Sequence, residues 1–265
     1  TQSIARVFML IKLFDDYRPI WSLPELIEAS GLKRTTVFRM LAALEAEGII
    51  RKTPTGEYTL GAGLIMLGGR AIRSNRLRTV AQPYLHELVH QASESVTIDV
   101  LWVDKDKIPQ SMVIEEQLSQ HLLGLFQYIG GRFPAHTTST GKVLLAYQAE
   151  EVFNQFNLDQ LTAQTNQTIT SPEQFRAELA KVRAQGFATT TNELEIGLAA
   201  VAAPIFNHHG EIQAALCIGG PTSRISKEKL HELSVYVRDY ADKISRQIGY
   251  SAKGKTSPHP QPLSQ

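Results

Sequence analysis

Cysteine is nearly absent from this chain. Its single thiol, Cys217, excludes an internal disulfide and a multi-cysteine zinc site. No apolar run approaches the ~20 residues that cross a bilayer, and no secretory leader is visible, so a cytoplasmic protein without a membrane partner is expected. Strong net charge is lacking too: 27 Lys and Arg stand against 26 Asp and Glu. That balance hides an asymmetry. Residues 1–80 hold twelve Lys and Arg against seven Asp and Glu, a net +5, whereas the remaining residues sum to −4. A basic front on a mildly acidic body suits one nucleic-acid face, and pairing two copies would double the cations available to phosphates. At 265 residues the chain has material for about two domains.

The most informative stretch runs from Gly31 to Gly48. Val37, Met40, Leu41 and Leu44 recur at helical spacing, so a helix from about Arg34 to Glu47 buries one face. Its other faces carry Thr35, Thr36, Phe38, Arg39 and Ala42, with no acid before Glu45. Such a surface can lie in a major groove, with Arg39 aimed at phosphates or guanine edges and the threonines at thymine methyls or phosphates. Ser22-Leu-Pro-Glu25 reads as a capping box that opens a preceding short helix, and Gly31 permits the turn between the two. Residues 49–60 alternate around Pro54-Thr-Gly56 as a hairpin with Arg51 and Lys52 near its tip, the wing of a winged helix. An amphipathic helix at 3–14, with Ile4, Val7, Leu10, Ile11 and Phe14 inward, supplies the third wall of that core. The alternative is a small helical subdomain with an ordinary solvated face.

Residues 62–74 form a further predicted helix. Its Leu64, Leu67 and Ile72 point either to a linker or dimer contact, or to burial on its own domain. Another helix follows at 77–92. From Val96 the period changes to that of strands, at 96–103, 108–114 and 122–126. Helices at 140–149 and 172–185 come next, then strands at 187–191, 201–206 and 213–218, and a long helix from a Ser226 cap to Ile248. The fold class is α+β, an antiparallel sheet with helices packed on it. Residues 252–265 are rich in Pro, Ser and Gln and should be disordered.

Catalytic signals are weak. Gly130 to Lys142 invites a phosphate-loop reading that fails, because His136 stands where a glycine is needed and Val143 where Ser or Thr is needed. What survives is a Thr- and Ser-rich entry to a helix whose free N–H groups could seat a small carboxylate, or whose Thr137, Thr138 and Ser139 could simply cap it. His136, His208 and His209 lack ligand-spaced partners, so neither a metal nor a cofactor is expected. Glu193 and Glu195 offer carboxylates without a nucleophile, and Cys217 reads as an inert core thiol. Two rival readings remain: an enzyme working through His136, Glu193 and Glu195, and a winged helix that binds protein instead of DNA.

The ordered set of marks resembles the IclR family of bacterial transcriptional regulators over nearly the whole chain. These are Gly31-Leu32, Thr35-Thr36-Val37 with Arg39, Tyr58-Thr-Leu-Gly61, Pro134-Ala-His136 with Gly141-Lys142, Gly186-Phe187, Glu193 with Gly197, Ala203-Pro204 and Gly220-Pro221. The resemblance implies a winged helix-turn-helix at 1–61, a dimerising linker helix at 62–75 and a GAF-like effector domain at 76–251. It implies a homodimer or dimer of dimers that represses or activates genes from a pseudo-palindromic operator in double-stranded DNA. Thr35, Thr36, Phe38 and Arg39 would read the groove, with Arg34, Arg51 and Lys52 on phosphates. A small organic effector, a carboxylate, would sit on the backbone of Ser139 and Thr140, walled by Leu122, Leu125 and Phe133. Thr190, Ala200, Cys217 and Gly219 stand where relatives that bind small keto acids place an acid, a cysteine and two serines. This chain departs at all four, which argues for a larger, partly apolar acid or a sugar-acid-like ligand.

Overall fold

The computed structural model describes residues 2–121, 129–158 and 161–251. The chain divides into two compact units, Thr1–Asn75 and Arg76–Gln265.

In the first unit, α1 (Gln2–Ile11) precedes a two-residue strand β1 (Ile20–Trp21), then α2 (Leu23–Ser30) and α3 (Arg34–Ala46). The capping box forms as expected: the Glu25 carboxylate accepts from the Ser22 N–H at 2.8 Å and from the Ser22 hydroxyl at 2.7 Å. Gly31 ends α2 at φ 64°, the left-handed region where a side chain would be strained, and so makes the turn into α3. The hairpin of β2 (Ile50–Lys52) and β3 (Tyr58–Leu60) pairs Lys52 with Tyr58. β1 joins it as a third strand, Trp21 opposite Tyr58, an element the sequence reading does not contain. Leu10, Phe14, Trp21, Leu26, Val37, Leu41, Leu44, Ile50 and Tyr58 form the core. Two expectations change here. α1 ends at Ile11, three residues early, and Ile4 is exposed instead of inward, because the core is closed by Leu10 and Phe14 near the helix's end. Helix α4 (Ala62–Ser74) buries none of its residues, leaving Ile65, Met66, Leu67 and Ile72 exposed.

The second unit is a three-layer arrangement. Its six strands are β4 (Ser95–Val103), β5 (Pro109–Gln117), β6 (Arg132–Pro134), β7 (Ala188–Thr191), β8 (Leu198–Phe206) and β9 (Ile212–Pro221). They lie in the order β6-β5-β4-β9-β8-β7, each pair antiparallel. Alternation sorts their side chains. Val96, Ile98, Ala199, Val201, Ala203, Ile205, Leu216 and Ile218 meet α5 (Arg76–Ala92) and α9 (Lys227–Gln247) on one face. Ala200, Ala202, Ala215 and Cys217 meet α6 (Ser139–Ala146) and α8 (Pro172–Gln185) on the other. α7 (Glu150–Phe153) is a single short helix between those two. The small residues on the second face let α6 approach so closely that all eight of its residues are buried. Gly141 shows how close: a Cβ there would stand 2.1 Å from the Ala135 carbonyl oxygen, so only glycine fits. α6 stops at Ala146 instead of Ala149, and the short elements β6 and α7 are additions to the sequence reading. No helix among the described residues is long and apolar enough to cross a membrane.

Candidate effector seat and nucleic-acid face

On the first unit, α3 presents Arg34, Thr35, Phe38 and Arg39 exposed and Thr36 half-buried, while Val37, Leu41 and Leu44 anchor the helix from behind. Phe38, an aromatic ring left 54 % exposed, is unusual on a small domain that has a core available. Arg51 and Lys52 are exposed on β2, the Lys52 ammonium lying 5.8 Å from the centre of the Tyr58 ring. None of Arg34, Arg39, Arg51 and Lys52 forms an ion pair with the described residues. The surface therefore offers cations with no internal counter-ion, which is what a polyanion can use.

The second unit holds a buried polar cluster at the start of α6. Thr138 caps the helix, its Oγ1 accepting from the Gly141 N–H at 3.0 Å and standing 3.1 Å from the Ser111 hydroxyl. Thr137 turns back to donate to the Pro134 carbonyl at 2.8 Å. The Thr140 hydroxyl donates to Asp99 Oδ2 at 2.7 Å, and the Thr97 hydroxyl donates to Asp99 Oδ1 at 2.9 Å. Ser139 Oγ lies 3.6 Å from Cys217 Sγ. Among the described residues, the Ser139 and Thr140 N–H groups have no backbone acceptor, as the first turn of a helix dictates. Two N–H groups at the positive end of a buried helix are the kind of donors an anion can use.

Of the expected lining, Phe133 is half-buried on β6 and paired in register with Ser111. Thr190, Ala200 and Gly219 fall in one cross-strand row, and Cys217, two residues before Gly219 on β9, lies opposite Thr97. Leu122 and Leu125 lie outside the described residues, as does the strand expected at 122–126. Cys217 is inert: burial, and next the Asp99 charge, push its thiol up to about 12. The His136 Nε2–H donates to the Thr162 carbonyl, 2.9 Å away, and burial holds its pKa below the usual imidazole value. Among the described residues no group of three His, Cys, Asp or Glu side chains could hold a metal ion.

Two residues were missed by sequence reasoning. Lys142 is 1 % exposed, its ammonium 2.7 Å from Glu193 Oε1 and 3.5 Å from Glu178 Oε1. It ties α6 to α8 and to the loop before β8, and Glu193 is thereby a structural partner of a lysine. Asp99 is the second. Its burial raises the carboxyl from 3.8 to about 6, against the two hydroxyl donors that favour the ionised form. Its folded-state value lies above its unfolded one, so the native protein holds the extra proton. Stability from this group is present in full below pH 3.8, is lost as pH rises through about 6, and stays lost above. The loss should reach about 3 kcal/mol. Urea denaturation of wild type and Asp99→Asn between pH 4 and 8 checks it: the wild type should lose ground to the variant as pH rises from 4 through about 6, and no further between pH 7 and 8.

The comparisons with known proteins agree with this geometry. A model described as the IclR helix-turn-helix domain matches residues 3–54, and one described as the bacterial transcriptional regulator IclR C-terminal matches residues 69–246. The chain belongs to the IclR family of bacterial transcriptional regulators. The transcriptional repressor IclR of Escherichia coli strain K12 is 30 % identical over 94 % of this chain and 90 % of its own length. The regulator KdgR of the same organism is 32 % identical over 94 % and 93 %. An IclR-type regulator structure from Alicyclobacillus acidocaldarius shares 27 % identity with a TM-score of 0.82, covering 94 % of this chain and 99 % of that one. This family member is a DNA-binding transcriptional regulator built as a winged helix-turn-helix joined to an α+β effector-binding domain.

Proposed function

We propose that the protein binds a pseudo-palindromic DNA operator as a homodimer and releases or grips it according to a small carboxylate held at the start of α6. The observation that carries the reading is the pairing of two surfaces. One is the acid-free face of α3, with Arg34, Thr35, Phe38 and Arg39 exposed and Thr36 half-buried. The other is the free amide pair of Ser139 and Thr140 inside a buried core. The recognition helix would lie in the major groove, with Arg39 and the threonines at base edges and Arg34, Arg51 and Lys52 on phosphates. The apolar residues exposed on α4 would be covered by a second copy, with residues 62–75 as the linker between domains at 1–61 and 76–251. The effector can act only through a difference in its affinity for the DNA-competent and incompetent states.

A thermal-shift screen against aliphatic, aromatic and sugar-derived carboxylates at pH 6 tests the seat, since a ligand that binds only the folded protein raises its melting temperature. Ser139→Pro is the informative control. Ser139 is the first residue of α6, where proline is tolerated, and Thr138 before it is already extended at φ −116° and ψ 146°. The variant should fold, bind DNA as before, and lose the ligand's stabilisation because one N–H is gone. Full stabilisation in Ser139→Pro would move the site elsewhere.

A further inference from the structure

The proposed seat already contains a carboxyl group. Asp99 on β4 is buried, and both of its oxygens accept hydroxyl hydrogens, one of them from Thr140 at 2.7 Å. The hydroxyl and the amide of Thr140 belong to the same residue, so an anion hydrogen-bonded to that amide would come close to Asp99. Among the described residues, the surroundings supply little to relieve the pair. On its own strand Asp99 faces Thr97, and the start of α6 contributes the Thr140 hydroxyl, with the Thr138 hydroxyl 3.4 Å beyond it. β9 contributes Ala215 opposite Asp99 and the buried Cys217 thiol opposite Thr97. β5 contributes Val113 opposite Asp99 and, opposite Thr97, the acid Glu116, itself raised by burial and by Glu115. The cation of α6, Lys142, is engaged by Glu193 and Glu178. Two carboxylates brought together in a buried site do not both stay ionised; one takes a proton that the pair shares.

We infer that Asp99 is the specificity-determining residue of the effector site, admitting an effector carboxylate only together with one proton. The inference rests on the reading that the effector occupies the Ser139 and Thr140 amides. No covalent bond changes. A proton from solvent completes an O–H···O hydrogen bond between Asp99 and the ligand, while the ligand's other oxygen faces the two N–H groups. Burial has already moved Asp99 to about 6, so the protonated form is within reach near neutrality. A ligand without a carboxylate gains nothing from that proton and is disfavoured by the ionised acid unless it brings a donor of its own.

The test uses full-length protein and a panel of aliphatic, aromatic and sugar-derived monocarboxylates, from acetate and pyruvate to benzoate and gluconate, with dissociation constants measured from pH 5.5 to 8.5. For wild type, the dissociation constant of any binder should rise about tenfold per pH unit above the Asp99 titration. Calorimetry in buffers of different ionisation enthalpy should show one proton taken up per ligand at pH 7.5. Asp99→Asn carries its own N–H donor, so its affinity should vary by less than about twofold over the range, with no proton uptake. Asp99→Ser serves if the amide fails to fold, and it predicts the same flat profile. A wild-type profile as flat as the variant's, or equal slopes in both, overturns the inference. The two readings fail differently. If Ser139→Pro abolishes binding while wild type and Asp99→Asn share one pH profile, the seat stands and only the role of Asp99 falls. If Ser139→Pro binds as wild type does, or nothing in the panel binds at any pH, both fall.

Discussion

Lys142→Met is expected to destabilise the second unit by about 3–5 kcal/mol, the cost of leaving a buried acid without its partner. The lysine is enclosed by the fold, 2.7 Å from Glu193 and 3.5 Å from Glu178. Burial raises Glu193 above the usual carboxylate range, and Lys142 is the main opposing influence. Without the ammonium, Glu193 loses its cation and is left with Glu178, whose remaining partner is the exposed Lys181 at 4.0 Å. The effect is specific enough to check with a second change: Lys142→Met with Glu193→Gln should recover most of the loss, since the most buried charge is then gone. Acid should rescue the single variant as well, because protonating Glu193 removes the unpaired charge. Denaturant melts of all three proteins at pH 5 and 7.5 give the comparison. A loss at or below about 1 kcal/mol would mean that water reaches the pair and that it behaves as a surface salt bridge.

The second large effect is on DNA. Removing Arg34, Arg51 and Lys52 together should lower affinity for every duplex, specific or random, by similar factors. It should also make the logarithmic salt dependence shallower by about three per recognition unit, roughly one for each phosphate that these cations no longer neutralise. These three side chains are exposed and free of ion pairs with the described residues, so their removal leaves the core of Val37, Leu41 and Ile50 untouched and takes from Tyr58 only the Lys52 ammonium 5.8 Å from its ring. The variant should melt within about 0.5 kcal/mol of wild type. An unchanged salt slope would show that the wing and the start of α3 do not meet phosphate.

Local signals made much of this architecture readable. The capping box at Ser22, the glycine at 31 and the apolar stripe of α3 are each decided within a few helical turns, so they survive the lack of tertiary information. β1 does not: two residues carry no period, and Trp21 becomes a strand residue only by pairing with Tyr58, far along the chain. The same holds for β6 and α7, three and four residues long. At the effector seat, the Ser- and Thr-rich entry to α6 pointed to free amides, and the helix does begin there. Asp99 was overlooked for a definite reason. Thr97 and Asp99 alternate with Val96, Ile98 and Val100, which reads as a strand with one face in water. The sheet is covered on both faces, so the polar side of that alternation is buried under α6. An acid in such a strand is a signal once two-sided burial is known. Lys142 was hidden similarly, read as a motif residue whose acidic partners lie 36 and 51 positions on.

The central claim is that Arg39 and its neighbours on α3 read bases, and the most direct measurement is the ratio of specific to random-duplex affinity in Arg39→Ala. The specific duplex is one that the wild-type protein itself selects from a random pool, and both affinities are measured at one salt concentration. The expected result is a specificity ratio reduced by roughly 1–3 kcal/mol, with random-duplex affinity falling much less. Equal losses on both duplexes, or no loss on either, would contradict it.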